Sequence, residues 1–173
     1  MARWTALFRG INVGGKNIIK MERLRQLLEE MGCSDVRTYI QSGNVAFSTS
    51  IRNRKKLTDE IVSEVATQCG LNISLLLKSQ TELQQILDGN PFTEEPEKSV
   101  IVFLLEKKPS TPLEELKPDC SESEVVSLTD TAMFLHAPDG IARSKIAREA
   151  EKRLGVMCTA RNVRTLTKLL ELC

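Results

Sequence analysis

Aromatic residues, histidine and closely spaced cysteines are scarce in this sequence of 173 residues. Aromatic side chains make up 4% of the chain, which disfavours an RRM-like sheet on which nucleic-acid bases stack. None of the five cysteines has the short spacing of a zinc or redox motif. A Ser-His-acid triad would have to use His136, the single histidine, which ends a strand pattern and is expected to cap or pack there. We predict neither a metal nor a cofactor.

Long apolar runs are also missing, since none approaches the roughly 20 residues of a membrane span. The first residues enter a strand pattern at once, which leaves no room for a signal peptide. With 41% hydrophobic and 27% charged residues, the composition is that of an ordinary globular protein. The sequence therefore predicts a cytoplasmic protein with no membrane partner.

Charge is distributed unevenly, although the formal net charge is only +1. Residues 1–25 contain six Lys or Arg and one acid, and residues 141–168 contain eight and two. Residues 80–130 contain twelve Asp or Glu and four Lys. Basic ends around an acidic middle indicate an anionic partner. The alternative is that solvated helix faces carry the charge.

Hydrophobic periodicity predicts the same order of elements in both halves of the chain. The first half is predicted to contain strands over 3–9, 36–41, 44–48 and 73–77, helices from Met21 and Leu57, and a helix opened by the capping box Ser79–Glu82. The second half is predicted to contain strands over 100–105, 125–128, 132–136 and 157–161, a short helix capped by Thr111 and stopped by Pro118, and helices around Ala150 and Leu169. Glycines at 32, 70 and 155 are placed to end helices.

Each half therefore has the order βαββαβ followed by a helix, and corresponding turns and helix ends lie at similar separations. This order is that of the ferredoxin-like unit. We predict an α+β fold of two ferredoxin-like units from an internal duplication. The predicted domains are residues 1–89 and 99–173, joined by a linker at 90–98 that is rich in proline and glutamate.

A glycine-rich loop after the first strand, Phe8 to Asn17, provides the first candidate site. In a ferredoxin-like unit the end of strand one and the turn between strands two and three share one edge of the sheet. The candidate ligand-binding residues at this edge are Arg9, Asn12, Lys16, Ser42 and Asn44. The spacing Gly10-x-x-x-x-Gly15-Lys16 fits a Walker A loop, but Asn17 stands where the motif needs Ser or Thr. A looser anion-binding nest of backbone amides is the alternative.

A second candidate site is predicted where the third and fourth strands of the second half end. The segment 139–145 is expected to lie beside residues 159–162. The candidate ligand-binding residues there are Arg143, Ser144, Lys145, Arg161 and Asn162. Adjacent residues that enter a helix point about 100° apart, so Ser144 and Lys145 are not expected to act as a catalytic dyad.

Several motifs occur here in the order of a known family: Arg9-Gly10-Ile11-Asn12-Val13-Gly14-Gly15-Lys16, Gln41-Ser42-Gly43-Asn44-Val45, Asn90-Pro91-Phe92, Asp139-Gly140-Ile141-x-Arg143-Ser144-Lys145 and Thr159-Ala160-Arg161-Asn162. Over nearly its whole length the chain resembles the bacterial family known as domain of unknown function 1697. The resemblance implies a duplicated ferredoxin-like fold. It supplies no activity, because that family is uncharacterised.

Three hypotheses for function follow. The first is a binding module whose basic, glycine-rich sheet edges hold a phosphorylated small molecule or a nucleic-acid backbone. The second is an enzyme that acts on a phosphorylated or carboxylated small molecule by electrostatic stabilisation. The third is a structural or protein-interaction module in which the motifs serve the fold. An open, convex basic surface would favour the first hypothesis, and an enclosed cleft would favour the second.

Overall fold

The computed structural model describes residues 1–172, which form two compact units. The first unit consists of residues 1–83 together with the C-terminal residues from Lys168, and the second consists of residues 84–167. Each unit contains one four-stranded antiparallel sheet. Within residues 1–172, no helix is both long and apolar enough to cross a membrane.

The first sheet has the strand order β2-β3-β1-β4. Its elements, with the helix that follows β4, are β1 (Ala2–Arg9), α1 (Met21–Glu30), β2 (Ser34–Tyr39), β3 (Asn44–Thr49), α2 (Arg54–Cys69), β4 (Ser74–Ser79) and α3 (Gln80–Asp88). The central strand β1 is apolar on both faces, and Ala6, Leu7 and Phe8 are all buried. Helices α1 and α2 bury the side chains spaced three and four residues apart against Phe8 and Phe47.

The second sheet has the strand order β6-β7-β5-β8. The elements from residue 100 onwards are β5 (Val100–Leu105), α4 (Leu113–Leu116), β6 (Val125–Leu128), β7 (Ala132–His136), α5 (Lys145–Leu154), β8 (Cys158–Asn162) and α6 (Val163–Leu172). Helix α5 buries Ile146, Ala150 and Leu154 in a core that includes Phe103 and Leu135. The register pairs Val100 with His136 and Ile101 with Asn162, so β7 and β8 end at the same end of the sheet.

Local chemistry explains most helix boundaries. Gly70 and Gly155 adopt the left-handed conformation, with φ of 64° and 69°, and end α2 and α5. The predicted capping box is confirmed, since the Ser79 amide donates to Glu82 Oε2 at 2.8 Å and the Glu82 amide donates to Ser79 Oγ at 3.2 Å.

The predicted α+β class is confirmed, with corrections in detail. Strand β2 lies two residues earlier than predicted. The prediction that Thr111 caps α4 is wrong, because Pro112 occupies the N-cap position and the Thr111 hydroxyl donates to the Arg153 carbonyl at 2.6 Å. The predicted stop at Pro118 agrees with the end of α4 at Leu116, and a separate 3₁₀ turn follows over Lys117–Asp119. Proline is tolerated there because the first turn of a helix needs no amide donor from that residue.

Candidate functional site

The glycine-rich loop forms a tight, exposed hairpin in the first unit. The Lys16 amide donates to the Val13 carbonyl at 3.0 Å, and the two residues between them, Gly14 and Gly15, have φ of 57° and 73°. Positive φ at both central positions is the geometry of a type I′ turn, which glycine adopts without steric cost. A Cβ atom added at either glycine would meet nothing within 4 Å. The loop therefore has open space beside both glycines.

Asn12 fixes the base of this loop. Its Nδ2 donates to the carbonyls of Ile19 and Gln41, and its Oδ1 accepts from the Ile19 amide, each at 2.9 Å. On the other side of the hairpin, Asn17 Nδ2 donates to the Gly10 carbonyl at 3.0 Å. Three of the hydrogen bonds that the Asn12 amide can make are therefore used inside the protein. Asn12, a predicted ligand-binding residue, instead ties the loop to the turn at residues 40–43.

The turn between β2 and β3 is packed against the same loop, as predicted from the topology. The Phe8 amide donates to the Gly43 carbonyl at 2.9 Å. A Cβ atom at Gly43 would lie 2.6 Å from Ile11 Cδ1 and 2.7 Å from Phe8 Cβ, so only glycine fits there. The fully buried Asn44 donates from Nδ2 to Ser42 Oγ at 2.9 Å. Ser42 and Asn44 thus shape the turn.

The exposed side chains of loop and turn combine positive charge with apolar groups. Among the described residues, the ammonium groups of Lys16 and Lys20 have no hydrogen-bond or ion-pair partner, and both residues are exposed. Arg9 is half-buried, with Nη1 at 3.5 Å from Ser74 Oγ. No acidic residue occurs between positions 9 and 20. We call the group Val13, Lys16, Ile18, Lys20 and Ile40 the basic loop surface.

Ile40 is the strained member of the basic loop surface. Its φ is 51°, although it is β-branched, and its side chain is 53% exposed. A β-branched residue in the left-handed region is a genuine outlier, and such strain costs on the order of 1–3 kcal/mol. Val13 and Ile18 are also more than half exposed. These three apolar side chains were not singled out in the sequence, because exposure of an isolated aliphatic residue has no sequence signal.

Two predicted residues of the second unit, Ser144 and Lys145, have structural partners. Ser144 is the N-cap of α5, and its Oγ accepts from the Ala147 amide at 3.2 Å. Lys145 Nζ lies 2.5 Å from Asp119 Oδ1, and Arg153 Nε lies 2.6 Å from Asp119 Oδ2. The hydrogen bond from the Lys145 ammonium lowers the pKa of the Asp119 carboxyl, and the charge of Arg153 lowers it further. Lys145 is therefore part of an ion-pair network around Asp119.

Arg161 and Asn162 also serve local structure. Arg161 Nη1 donates to Thr159 Oγ1 at 2.9 Å and to the Ala160 carbonyl at 2.7 Å. Burial lowers the pKa of Arg161 to about 10, so the group stays charged at neutral pH. Asn162 Oδ1 accepts from the Thr165 amide at 2.8 Å and caps α6.

The segment 139–145 does not meet β8 in the predicted way. Asp139 and Lys145 make their side-chain contacts with Ser123 and Asp119, beside the edge strand β6. Strand β8 is the opposite edge strand, and β7 and β5 separate it from β6. The prediction was based on the fact that β7 and β8 end at the same end of the sheet. It did not consider that β5 lies between them and that residues 139–145 turn towards β6, on the other side. Arg143 and Arg161 thus belong to different edges.

Arg143 instead lines a pocket of about 260 Å³ with Ser121, Ser123, Glu124 and Asp139. Ser123 Oγ donates to Asp139 Oδ2 at 2.8 Å. Neither serine was predicted from the sequence to be a site residue. The predicted β6–β7 hairpin was the sequence feature that could have indicated this pocket. In that hairpin Val125 pairs with His136, which brings residues 121–124 beside the segment after β7.

The single histidine packs at the end of β7, as expected. His136 Nε2 lies 3.4 Å from Glu95 Oε2, and its ring centroid lies 5.8 Å from that of Phe92. Asn90 Oδ1 accepts from the Phe92 amide at 3.0 Å and shapes the Asn90-Pro91-Phe92 turn. Across the described part of the chain, no three His, Cys, Asp or Glu side chains are grouped to hold a metal ion.

Comparison with known proteins gives a family and a structural relative. The chain is similar to a conserved bacterial protein of Streptococcus pneumoniae, SP0830, with a TM-score of 0.74 and 25% sequence identity. That similarity covers 99% of this chain and 98% of the other. No curated protein matches the chain. The model of the proteins of unknown function termed DUF1697 matches residues 1–134, which confirms the resemblance drawn from the motifs, and the chain belongs to this family.

Proposed function

We propose that the protein is a binding module for a nucleic-acid backbone and that the basic loop surface is its contact site. The observation that carries the proposal is a pair of exposed lysines, Lys16 on the glycine hairpin and Lys20 at the N-cap of α1, in a stretch from residue 9 to residue 20 that contains no acidic residue. Most affinity for a nucleic acid comes from neutralised phosphates. Cations without an internal partner are available for this role.

The shape of the loop favours a polymer over a small phosphorylated molecule. Small-molecule sites are concave and enclose most of the ligand surface, whereas a Cβ atom added at Gly14 or Gly15 would meet nothing within 4 Å. An open loop can contact successive phosphates of an extended strand instead. The exposed side chains of Val13, Ile18 and Ile40 would lie against sugars and bases without stacking, since they carry no ring.

Some predicted ligand-binding residues already make hydrogen bonds inside the protein, so fewer residues are proposed to contact the ligand directly. Asn12, Ser42 and Asn44 hold the loop and turn, so their part in binding is to shape the surface. Arg9, at the base of the loop, adds a third positive charge. The proposed direct contacts are therefore Lys16, Lys20 and Arg9, together with the backbone of the hairpin tip.

The expected salt dependence follows from these three charges. For single strands, log K falls with log[salt] by about 0.7 for each neutralised phosphate, so three contacts give a slope of about −2. Between 50 and 200 mM salt the affinity should fall roughly 20-fold. If the lysines and arginines only keep helix faces hydrated, the protein should show no saturable binding of an oligonucleotide.

The test is fluorescence anisotropy with a labelled single-stranded 12-nucleotide RNA and its DNA equivalent, over a salt series. The double variant Lys16→Gln/Lys20→Gln should reduce the slope by about 1.4 and weaken binding. The control Lys98→Gln/Lys107→Gln makes the same change in net charge at exposed lysines outside the surface and should bind like the wild type. The assignment of the basic loop surface would be rejected if both double variants lost the same affinity for the oligonucleotide, or if the wild type showed no saturable binding.

The strand orders β2-β3-β1-β4 and β6-β7-β5-β8 support two ferredoxin-like units, and their equivalence supports an internal duplication. From the order of elements we propose residues 1–89 and 99–173 as the two domains and 90–98 as their linker, a division that differs from the compact units, in which residues 84–98 join the second unit and those from Lys168 join the first. A nucleic-acid ligand is consistent with a cytoplasmic location.

A further inference from the structure

The pocket beside β6 and the segment after β7 carries a second inference, independent of the basic loop surface. It has a volume of about 260 Å³. Since a water molecule takes about 30 Å³ in the liquid, a compact molecule of roughly nine non-hydrogen atoms would fit. The Gly140 position, with φ of 81° and nothing within 4 Å of an added Cβ, leaves one wall open for entry.

Both signs of charge line this pocket. The guanidinium of Arg143 has no hydrogen-bond or ion-pair partner within residues 1–172. The neighbouring cation, Lys145, is already paired with Asp119, so Arg143 is the group left to receive an anion. Its five donors in a planar fork suit a carboxylate better than a single ammonium would.

The carboxylates of the pocket are held in place and keep accepting capacity. Ser123 Oγ donates to Asp139 Oδ2 at 2.8 Å, and the Ser121 amide donates to Glu124 Oε2 at 2.8 Å. Each carboxylate has a second oxygen, and a carboxylate offers about four lone-pair sites. A cationic group of a ligand can therefore be received opposite Arg143.

We propose that this pocket binds a small zwitterion, an α-amino acid, with its carboxylate on Arg143 and its ammonium on Asp139 and Glu124. A phosphate dianion fits poorly, because it would meet two carboxylates for one guanidinium. A simple amine fits poorly, because it would leave Arg143 without an anion. A molecule with both charges a few ångströms apart satisfies all three groups. The hydroxyls of Ser121 and Ser123 lie at the same rim and would bind polar side-chain atoms of the ligand.

The test is ligand-observed NMR followed by calorimetry on the full chain, with free L-amino acids as probes. For the tightest of them, the N-acetyl and C-amide derivatives each remove one charge. Binding by the free amino acid that weakens at least tenfold in both derivatives is the expected result. Failure of every free amino acid to bind at millimolar concentration overturns the proposal, and so does retention of affinity by either derivative.

Variants locate the site. Arg143→Gln and Asp139→Asn should each weaken binding of the same amino acid at least tenfold. The matched control is Arg148→Gln, since Arg148 lies on α5 next to this segment and its guanidinium also has no partner in the described chain. Binding unaffected by Arg143→Gln would place the amino acid elsewhere and overturn the assignment. Oligonucleotide affinity should not change in Arg143→Gln, which separates this outcome from that for the basic loop surface.

Discussion

Replacement of Lys20 by serine should raise the stability of the first unit while it weakens nucleic-acid binding. Lys20 occupies the N-cap of α1, with φ −67° and ψ 133°, and its side chain makes no capping hydrogen bond. Serine is among the preferred N-cap residues, because its hydroxyl accepts from an unsatisfied amide of the first turn. A lysine there also sets a cation at the positive end of the helix dipole.

The expected magnitude follows from these two effects. A serine cap contributes about 1 kcal/mol relative to a residue that cannot cap, and removal of the cation contributes about 0.3–1 kcal/mol. The free energy of unfolding should therefore rise by about 1.3–2 kcal/mol for Lys20→Ser. Urea unfolding followed by the fluorescence of Trp4 is a suited assay, because this single tryptophan is buried in the core of the same unit. The midpoint should move up by roughly 0.5–1 M urea.

The same Lys20→Ser change should weaken the binding of nucleic acid. Loss of one phosphate contact reduces affinity for a single strand about fivefold at 0.1 M salt. Lys107→Ser is the control, since it removes an exposed lysine without a partner in the described chain and should change neither quantity. A Lys20→Ser variant that is no more stable than the wild type would refute the capping argument. A variant that is more stable but binds RNA equally well would refute the role of Lys20 in binding.

Three further changes test the packing and electrostatics. Ser144→Ala should lower the free energy of unfolding by about 1 kcal/mol in urea followed by circular dichroism, and Ser144→Asn should restore most of it. Gly14→Ala should cost about 1–2 kcal/mol for its positive φ alone, whereas Gly43→Ala should cost about 1–3 kcal/mol more, because its Cβ has no room; equal losses would contradict this geometry. The pKa of Asp119 is lowered in the folded state, so its stabilising contribution is complete above the ordinary aspartate pKa and is lost as pH falls through the folded value. Asp119→Asn should flatten the loss of stability below about pH 4, as measured by circular dichroism.

Features that depend on local chemistry were predictable from the sequence. The order of elements follows from hydrophobic spacing, and the ends of α2 and α5 follow from Gly70 and Gly155. The contact between the glycine loop and the turn before β3 was predicted from topology, and the hydrogen bond from Asn12 to the Gln41 carbonyl shows it. These features need no knowledge of side-chain packing.

Features that depend on a distant partner were not predictable. Thr111 stands where a capping residue would, but its hydroxyl reaches the Arg153 carbonyl 42 positions away. Lys145 has the appearance of a surface cation until Asp119 is found beside it. The pocket around Arg143 depends on Ser121 and Ser123, which come close only after the β6–β7 hairpin forms.

The candidate residues divide by the length and chemistry of their side chains. Short amides and hydroxyls, such as Asn12, Asn44 and Ser144, lie close enough to the backbone to satisfy buried amides and carbonyls, and an unpaired buried polar group is costly. These short side chains therefore make hydrogen bonds inside the protein and are not left to bind a ligand. Long cations reach past the backbone, and they stay available for a ligand unless an acid forms an ion pair with them. Lys16, Lys20 and Arg143 have no such ion pair within residues 1–172, and their conservative replacement should change binding and leave the fold intact.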